Sequence, residues 1–209
     1  MLSAIKGLYA ITPECADTVA LLEKVKQALR GGAALVQYRA KSDDVALKHE
    51  QATELLKLCQ AFYVPLIIND DLRLAALIEA DGVHLGETDP ALKEARINLG
   101  PNSIIGVSCY QDLERAQRLA AQGADYVAFG SFYPSLTKPQ AKPCPLSLLT
   151  QAKAKLQVPI VAIGGITPEN AQDLIHAGAD AVAIISALFD ASDIELTANL
   201  FTSFFAIKH

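Results

Sequence analysis

No apolar run in this chain approaches the ~18 residues that would suggest a membrane span. The N-terminus, MLSAIKGLYAI, has no long apolar core and no small-residue cleavage site after a basic start, so no signal peptide is expected. Cysteine is sparse: Cys15, Cys59, Cys109 and Cys144 are widely spaced, and none forms a C-x-x-C pair. That spacing speaks against a zinc site or redox motif and for buried or incidental thiols in a cytoplasmic protein. There is no low-complexity tract, hence no expected disordered tail. Positive charge is not in excess. The net charge of −5 argues against a general nucleic-acid surface, though not against a small anionic ligand, because the charge of a site is local. No Ser-His-Asp, Cys-His or paired catalytic carboxylate arrangement is evident in the sequence.

What remains is 209 residues, 51% of them hydrophobic, enough for one well-buried domain. Three segments share one grammar: Glu79-Ala80-Asp81-Gly82-Val83, Gly123-Ala124-Asp125-Tyr126-Val127 and Gly178-Ala179-Asp180-Ala181-Val182. A fourth, Gly32-Ala33-Ala34-Leu35-Val36, lacks the Asp. Glycine after a helix supplies a left-handed cap, and the apolar run that follows reads as a strand. Strands are predicted at 8–11, 35–39, 66–69, 83–85, 104–107, 126–129, 160–163 and 183–185. Helical patterns lie between them and after the last. The last helix, over 194–205, repeats Leu196, Leu200 and Phe204 at a spacing of four. Eight strand–helix pairs predict an α/β fold, a single (β/α)₈ TIM barrel spanning 1–209. A doubly wound open sheet is the rival, but its first βα turn would carry a glycine fingerprint, and Thr12-Pro13-Glu14-Cys15 has no glycine.

In a barrel, residues just past the C-terminal ends of the strands share one mouth. Gln37, Arg39 and Lys41 follow strand two at alternate positions, which by strand periodicity face one way. They read as an anion clamp, or as a polar barrel end with Arg39 in a structural salt bridge. Asn69, Asp70 and Asp71 follow strand three, and Asp89 lies beyond strand four. Asp70 and Asp89 together, with no His/Cys set nearby, suit Mg²⁺ completed by water and phosphate oxygens; taken singly, each reads first as a helix cap. His84 within strand four reads as a hydrogen-bonded core residue ahead of an acid or base. Ser108 ends strand five, where a hydroxyl binds phosphate or caps the next helix. After strand six, Gly130 opens a proline-stiffened loop holding Ser131, Ser135, Thr137 and Lys138, which suits phosphate or is simply a surface loop. Gly164-Gly165 after strand seven, and Ile185-Ser186 at the end of strand eight, fit the phosphate site that barrels build from their last two loops. The mouth thus reads as two anion sites, one metal-assisted for pyrophosphate and one for a monophosphate.

The runs GLYAIT, VQYRAK, IINDD, DGVHLGETD, IGVSCY, DYVAFGSFYPSLTKP and AIGGITPEN, in order and nearly end to end, resemble the thiamine-phosphate synthase family. The resemblance implies a transferase that couples hydroxymethylpyrimidine pyrophosphate to hydroxyethylthiazole phosphate, giving thiamine phosphate and pyrophosphate, with Mg²⁺. By motif, Gln37, Arg39, Lys41 and Asn69 match the pyrimidine-pyrophosphate side, Asp70 and Asp89 the metal ligands, and Ser108 and Lys138 pyrophosphate contacts. Arg39, Lys138 and Ser108 are the residues expected to act in catalysis. Ser135, Thr137, Gly165, Ile185 and Ser186 match the thiazole-phosphate side. Three departures stand out: Ser135 where many members have Thr, Ser131 where many have Pro, and Ala40 where an acidic residue is common. Expected partners are the two small-molecule substrates, with no nucleic acid and no membrane, and a homo-oligomer is compatible with the sequence. The alternatives are a thiazole tautomerase-like isomerase and a non-catalytic phosphate-binding barrel.

Overall fold

A computed structural model describes residues 5–86, 92–134 and 143–206. Its strands and helices alternate: β1 (Gly7–Ile11), α1 (Thr18–Arg30), β2 (Leu35–Tyr38), α2 (Val45–Ala61), β3 (Leu66–Asn69), α3 (Leu72–Leu77), β4 (Gly82–Leu85) and α4 (Leu92–Leu99). The second half continues with β5 (Ile104–Tyr110), α5 (Leu113–Ala121), β6 (Tyr126–Gly130), α6 (Ser147–Lys155), β7 (Ile160–Ile163), α7 (Ala171–His176) and β8 (Ala181–Ile184). A short α8 (Ser186–Phe189) and a terminal α9 (Ile194–Ala206) follow. Every strand pairs in parallel with its sequence neighbours, and β1 pairs with β8, so the sheet closes into the eight-stranded barrel that the alternation predicts. An open sheet is thereby excluded.

The strands are near-continuously apolar because both of their faces are covered. Alternate residues divide between two cores. Leu8, Ala10, Val36, Ile68 and Val83 face the helices, whereas Tyr9, Ile11, Leu35, Ile67, Tyr126 and Ala128 fill the barrel. Inside, Gly106 is required by its neighbour: a Cβ there would lie 1.9 Å from Cζ of Tyr126. The repeated aspartates have a backbone role. Asp81, Asp125 and Asp180, each just before an even-numbered strand, accept from the N–H of Leu66 (2.8 Å), Ile105 (2.8 Å) and Ile160 (3.0 Å) at the start of the preceding strand. At the opposite end, Asp17, Asp44, Asp71 and Asp112 cap α1, α2, α3 and α5 through the N–H groups of Ala20, Leu47, Leu74 and Arg115.

Some expectations need correction. Strand β5 runs on to Tyr110, and β8 begins two residues early at Ala181. The Leu196/Leu200/Phe204 repeat does not mark the buried face of α9, since Leu196 is 66% and Leu200 44% exposed. The buried face is Ile194, Ala198 and Phe201. The reason is close approach: a Cβ on Gly31, at the end of α1, would lie 2.4 Å from Cβ of Ala198, so the contact demands small residues where a hydrophobic-stripe reading favours large ones. Thr202 closes the seam by donating to the carbonyls of Gly31 (3.1 Å) and Gly32 (3.2 Å).

Candidate active site

The C-terminal ends of the strands enclose a cavity of about 450 Å³, within the usual range for small-molecule sites. Gln37, Arg39, Asn69, Asp70 and Ser108 line one side of it, and Gly165, Ile185 and Ser186 line another. Eight of the residues singled out in the sequence thus meet on one wall system. Asp89, Ser135, Thr137 and Lys138 lie outside the described residues.

Gln37, like Leu35, is an inward residue of β2 and is buried. Its Nε2 donates to the Tyr9 hydroxyl at 2.7 Å. That hydroxyl lies 2.8 Å from the hydroxyl of Tyr126, which in turn lies 2.9 Å from Nδ1 of His84. The other His84 nitrogen, Nε2, is 2.9 Å from Oγ of Ser108. The His84 and Tyr126 rings stack with centroids 5.6 Å apart. Five polar side chains therefore cross the barrel, from Gln37 to Ser108, in one hydrogen-bonded chain. Burial raises the pKa of both tyrosines, which keeps them neutral. Reading His84 as a hydrogen-bonded core residue agrees with this geometry. Tyr9 and Tyr126 escaped the sequence reading because a tyrosine in an apolar strand is indistinguishable from packing.

Arg39 lies just past the end of β2. Its N–H donates to Thr12 Oγ1 at 2.9 Å, and its guanidinium reaches Glu14 at only 3.9 Å. Such a long, part-exposed pair is worth about 0–1 kcal/mol, so Arg39 remains available to a stronger anion. Lys41 does not share this wall. Strand β2 stops at Tyr38, so the alternation meant to carry Lys41 to the mouth ends too soon. Lys41 is exposed, and its N–H donates to Glu14 Oε1 at 2.9 Å.

At the end of β3 the two adjacent aspartates separate. Asp71 caps α3, accepting from Leu74 N–H at 2.9 Å. Asp70 does not cap. It adopts a left-handed backbone (φ 61°), lines the cavity, and accepts from Asn69 Nδ2 at 2.7 Å. Across the next strands, a register shift between Ser108 and Tyr110 bulges β5 and aims Ser108 at the cavity. Arg115 of α5 fastens this corner, donating from Nε to the Ser108 carbonyl (3.0 Å) and from Nη2 to the Gly86 carbonyl (3.1 Å). Among the described residues no group of three or more His, Cys, Asp or Glu is placed to hold a metal. Magnesium needs only one or two carboxylates plus substrate oxygens, and an acidic oxygen donor on the cavity wall, as at Asp70, meets that requirement.

On the opposite wall, Gly164 (φ 102°) and Gly165 (φ 62°) both need glycine. The sequence reading assigned them to close approach of an anion. The structure shows close approach of their own protein: a Cβ on Gly164 would meet Ser131 Oγ at 2.0 Å, and one on Gly165 the Pro134 carbonyl at 2.3 Å. The loop leaving β6 is thus seated on the β7 loop, with Tyr133 N–H bonded to the Gly164 carbonyl at 3.0 Å. Asn170 braces the same turn, donating to the Gly165 carbonyl (3.1 Å) and accepting from Thr167 N–H (2.9 Å). Ser186 opens α8 beside it.

Residues 8–188 match the family described as thiamine monophosphate synthase. The chain belongs to the thiamine monophosphate synthase family. Within that family, the thiamine-phosphate synthase of Thiobacillus denitrificans is 56% identical over 202 residues, covering 97% of this chain and 96% of the relative. That of Methylobacillus flagellatus is 52% identical over 204 residues, covering 98% and 97%. Among solved structures, thiamine phosphate pyrophosphorylase from Pyrococcus furiosus superposes with a TM-score of 0.86 at 32% identity, over 98% of this chain and 97% of that one. A 3-hexulose-6-phosphate synthase shares the barrel with a TM-score of 0.68 at 21% identity, a likeness of fold alone. The family and fold expected from the sequence are those observed.

Proposed function

We propose that this transferase joins hydroxymethylpyrimidine pyrophosphate to hydroxyethylthiazole phosphate, releasing thiamine phosphate and pyrophosphate, and that residues 1–209 form its single catalytic domain. The supporting observation is the meeting of Gln37, Arg39, Asn69, Asp70 and Ser108 with Gly165, Ile185 and Ser186 around one cavity. The first group faces the pyrimidine and its pyrophosphate. The second, with Ser135 and Thr137, holds the thiazole phosphate. Lys138, and Lys41 from outside the described cavity wall, add positive charge to the pyrophosphate side. Asp70 and Asp89 would hold Mg²⁺, which when bound neutralises charge on the pyrophosphate oxygens.

The chemistry needs no protein nucleophile. The bond between the pyrimidine methylene carbon and the pyrophosphate oxygen breaks, and its electron pair leaves with pyrophosphate. The thiazole nitrogen then donates its lone pair to that carbon. The aminopyrimidine spreads the positive charge that develops in between, so bond breaking runs ahead of bond making. Arg39, Lys138 and the Ser108 hydroxyl stabilise the departing anion, and the walls align two rings and exclude water. The test is pyrophosphate release by the purified protein with both substrates, with and without Mg²⁺. Release that requires both substrates and the metal is expected. A tautomerase or a silent phosphate-binding barrel would release none, and that result would overturn the reading.

A further inference from the structure

The buried chain Gln37–Tyr9–Tyr126–His84–Ser108 has a direction as well as a path. Each hydroxyl has one proton to donate, and a neutral imidazole carries one proton on two nitrogens. Gln37 donates from Nε2 to Tyr9. The arrangement that uses every buried proton within the chain sends the Tyr9 proton to Tyr126 and the Tyr126 proton to Nδ1 of His84. With Nδ1 accepting, the ring proton sits on Nε2 and is donated to Ser108 Oγ. The Ser108 proton is left to face the cavity, and so is the carbonyl oxygen of Gln37. Reversing the links from Tyr126 onward would leave Ser108 offering the cavity only lone pairs, which repel a phosphate oxygen.

Tyr126 is the junction. It is fully buried and does not line the cavity, whereas Tyr9, Gln37, His84 and Ser108 do. We infer that Tyr126 is a positioning residue whose hydroxyl couples the two sides of the pyrimidine-pyrophosphate site, holding His84 in the Nε2–H tautomer so that Ser108 presents a proton donor while Gln37 presents an acceptor. The inference rests on the proposed function for its ligand, but not for its tautomer. The high ionisation range of both tyrosines, set by burial, keeps the two protons in place.

Tyr126→Phe keeps the ring that packs over Gly106 and removes only the hydroxyl. Two neutral hydrogen bonds are lost, so KM for the pyrimidine pyrophosphate is expected to rise about ten- to a hundredfold, with KM for the thiazole phosphate unchanged. The distinctive readout is coupling. Gln37→Ala and Ser108→Ala should be non-additive in the wild-type background and additive in Tyr126→Phe. Nitrogen NMR of ¹⁵N-histidine-labelled protein reads the tautomer directly. Wild-type His84 should show Nε2–H, and Tyr126→Phe should mix the two forms. Tyr9→Phe, which cuts the Gln37 arm, should abolish the coupling, and serves if Tyr126→Phe fails to fold. An Nδ1–H tautomer in the wild type, or coupling that survives both substitutions, overturns the inference. If the wild type releases no pyrophosphate, the proposed function fails on its own, and the tautomer measurement still decides the chain.

Discussion

The two ends of the barrel match their charged side chains to different degrees. At the N-terminal end, carboxylates are consumed by the fold. Asp125 accepts from Ile105 N–H at 2.8 Å and pairs with Arg96 at 2.7 Å, while Arg96 also donates to the carbonyls of Ser103 and Gly123. At the C-terminal end, Asp17, Asp44, Asp71 and Asp112 are likewise spent on helix caps, but Arg39, beside the cavity, meets Glu14 only at 3.9 Å. Charge that is tightly matched within the protein supports structure. Charge that is loosely matched beside a cavity is held for something the protein does not itself contain.

Four measurements would break or sharpen that contrast. The largest effect belongs to the mouth. Lys138→Ala or Arg39→Ala should each reduce turnover by roughly 2.7–4 kcal/mol in barrier, about a hundred- to a thousandfold, as for a lost oxyanion donor. Melting temperature should stay near wild type, and near-normal turnover with saturating substrates would remove the residue from the mechanism. At the opposite end, Asp125→Ala strands Ile105 N–H and Arg96, and should lower unfolding free energy by about 1–3 kcal/mol in a denaturant titration. Turnover per folded molecule should be unaltered; a loss of activity without a loss of stability would dissolve the distinction between the ends.

The third measurement concerns the cores, which treat protons alike at both ends. Burial pushes the thiols of Cys59 and Cys109 from 9.0 up to about 12, and the Tyr38 hydroxyl from 10.0 up to about 12. The folded chain keeps these protons while the unfolded chain releases them. Their contribution is therefore fully present below about pH 9 and is lost as pH rises toward 12, by about 1.4 kcal/mol per pH unit for each group. Unfolding curves between pH 8 and pH 11 test this, and a flat profile would contradict it. The smallest effect is on the outer surface: Leu196→Gln on α9 should change stability by no more than about 0.5 kcal/mol, whereas a large loss would mean that the exposed stripe is covered in solution.

Much of the mouth was legible because chemistry and chain order coincide there. Arg39, Asp70 and Gly165 each follow a strand, Ser108 lies near the end of one, and the closed barrel brings every strand end to one rim. Where a local rule is extended beyond its element, its warrant ends. Lys41 was carried on strand periodicity past Tyr38, where the strand has already ended. Ala198 gives way in a stripe reading to the larger Leu196 and Leu200, because a linear pattern does not show how closely α1 and α9 approach.

The sequence by itself determined the alternation of strand and helix, the repeat Asp81, Asp125, Asp180, and the set of polar residues at strand ends. These are local patterns, set by backbone propensity and by which side chains can be buried. Only the tertiary structure decided that the repeated aspartates bind strand amides, that Asp71 caps while Asp70 faces the cavity, and that Tyr9 and Tyr126 join Gln37 to Ser108. Each of these depends on distances between residues far apart in the chain, and such distances exist only once the sheet has closed.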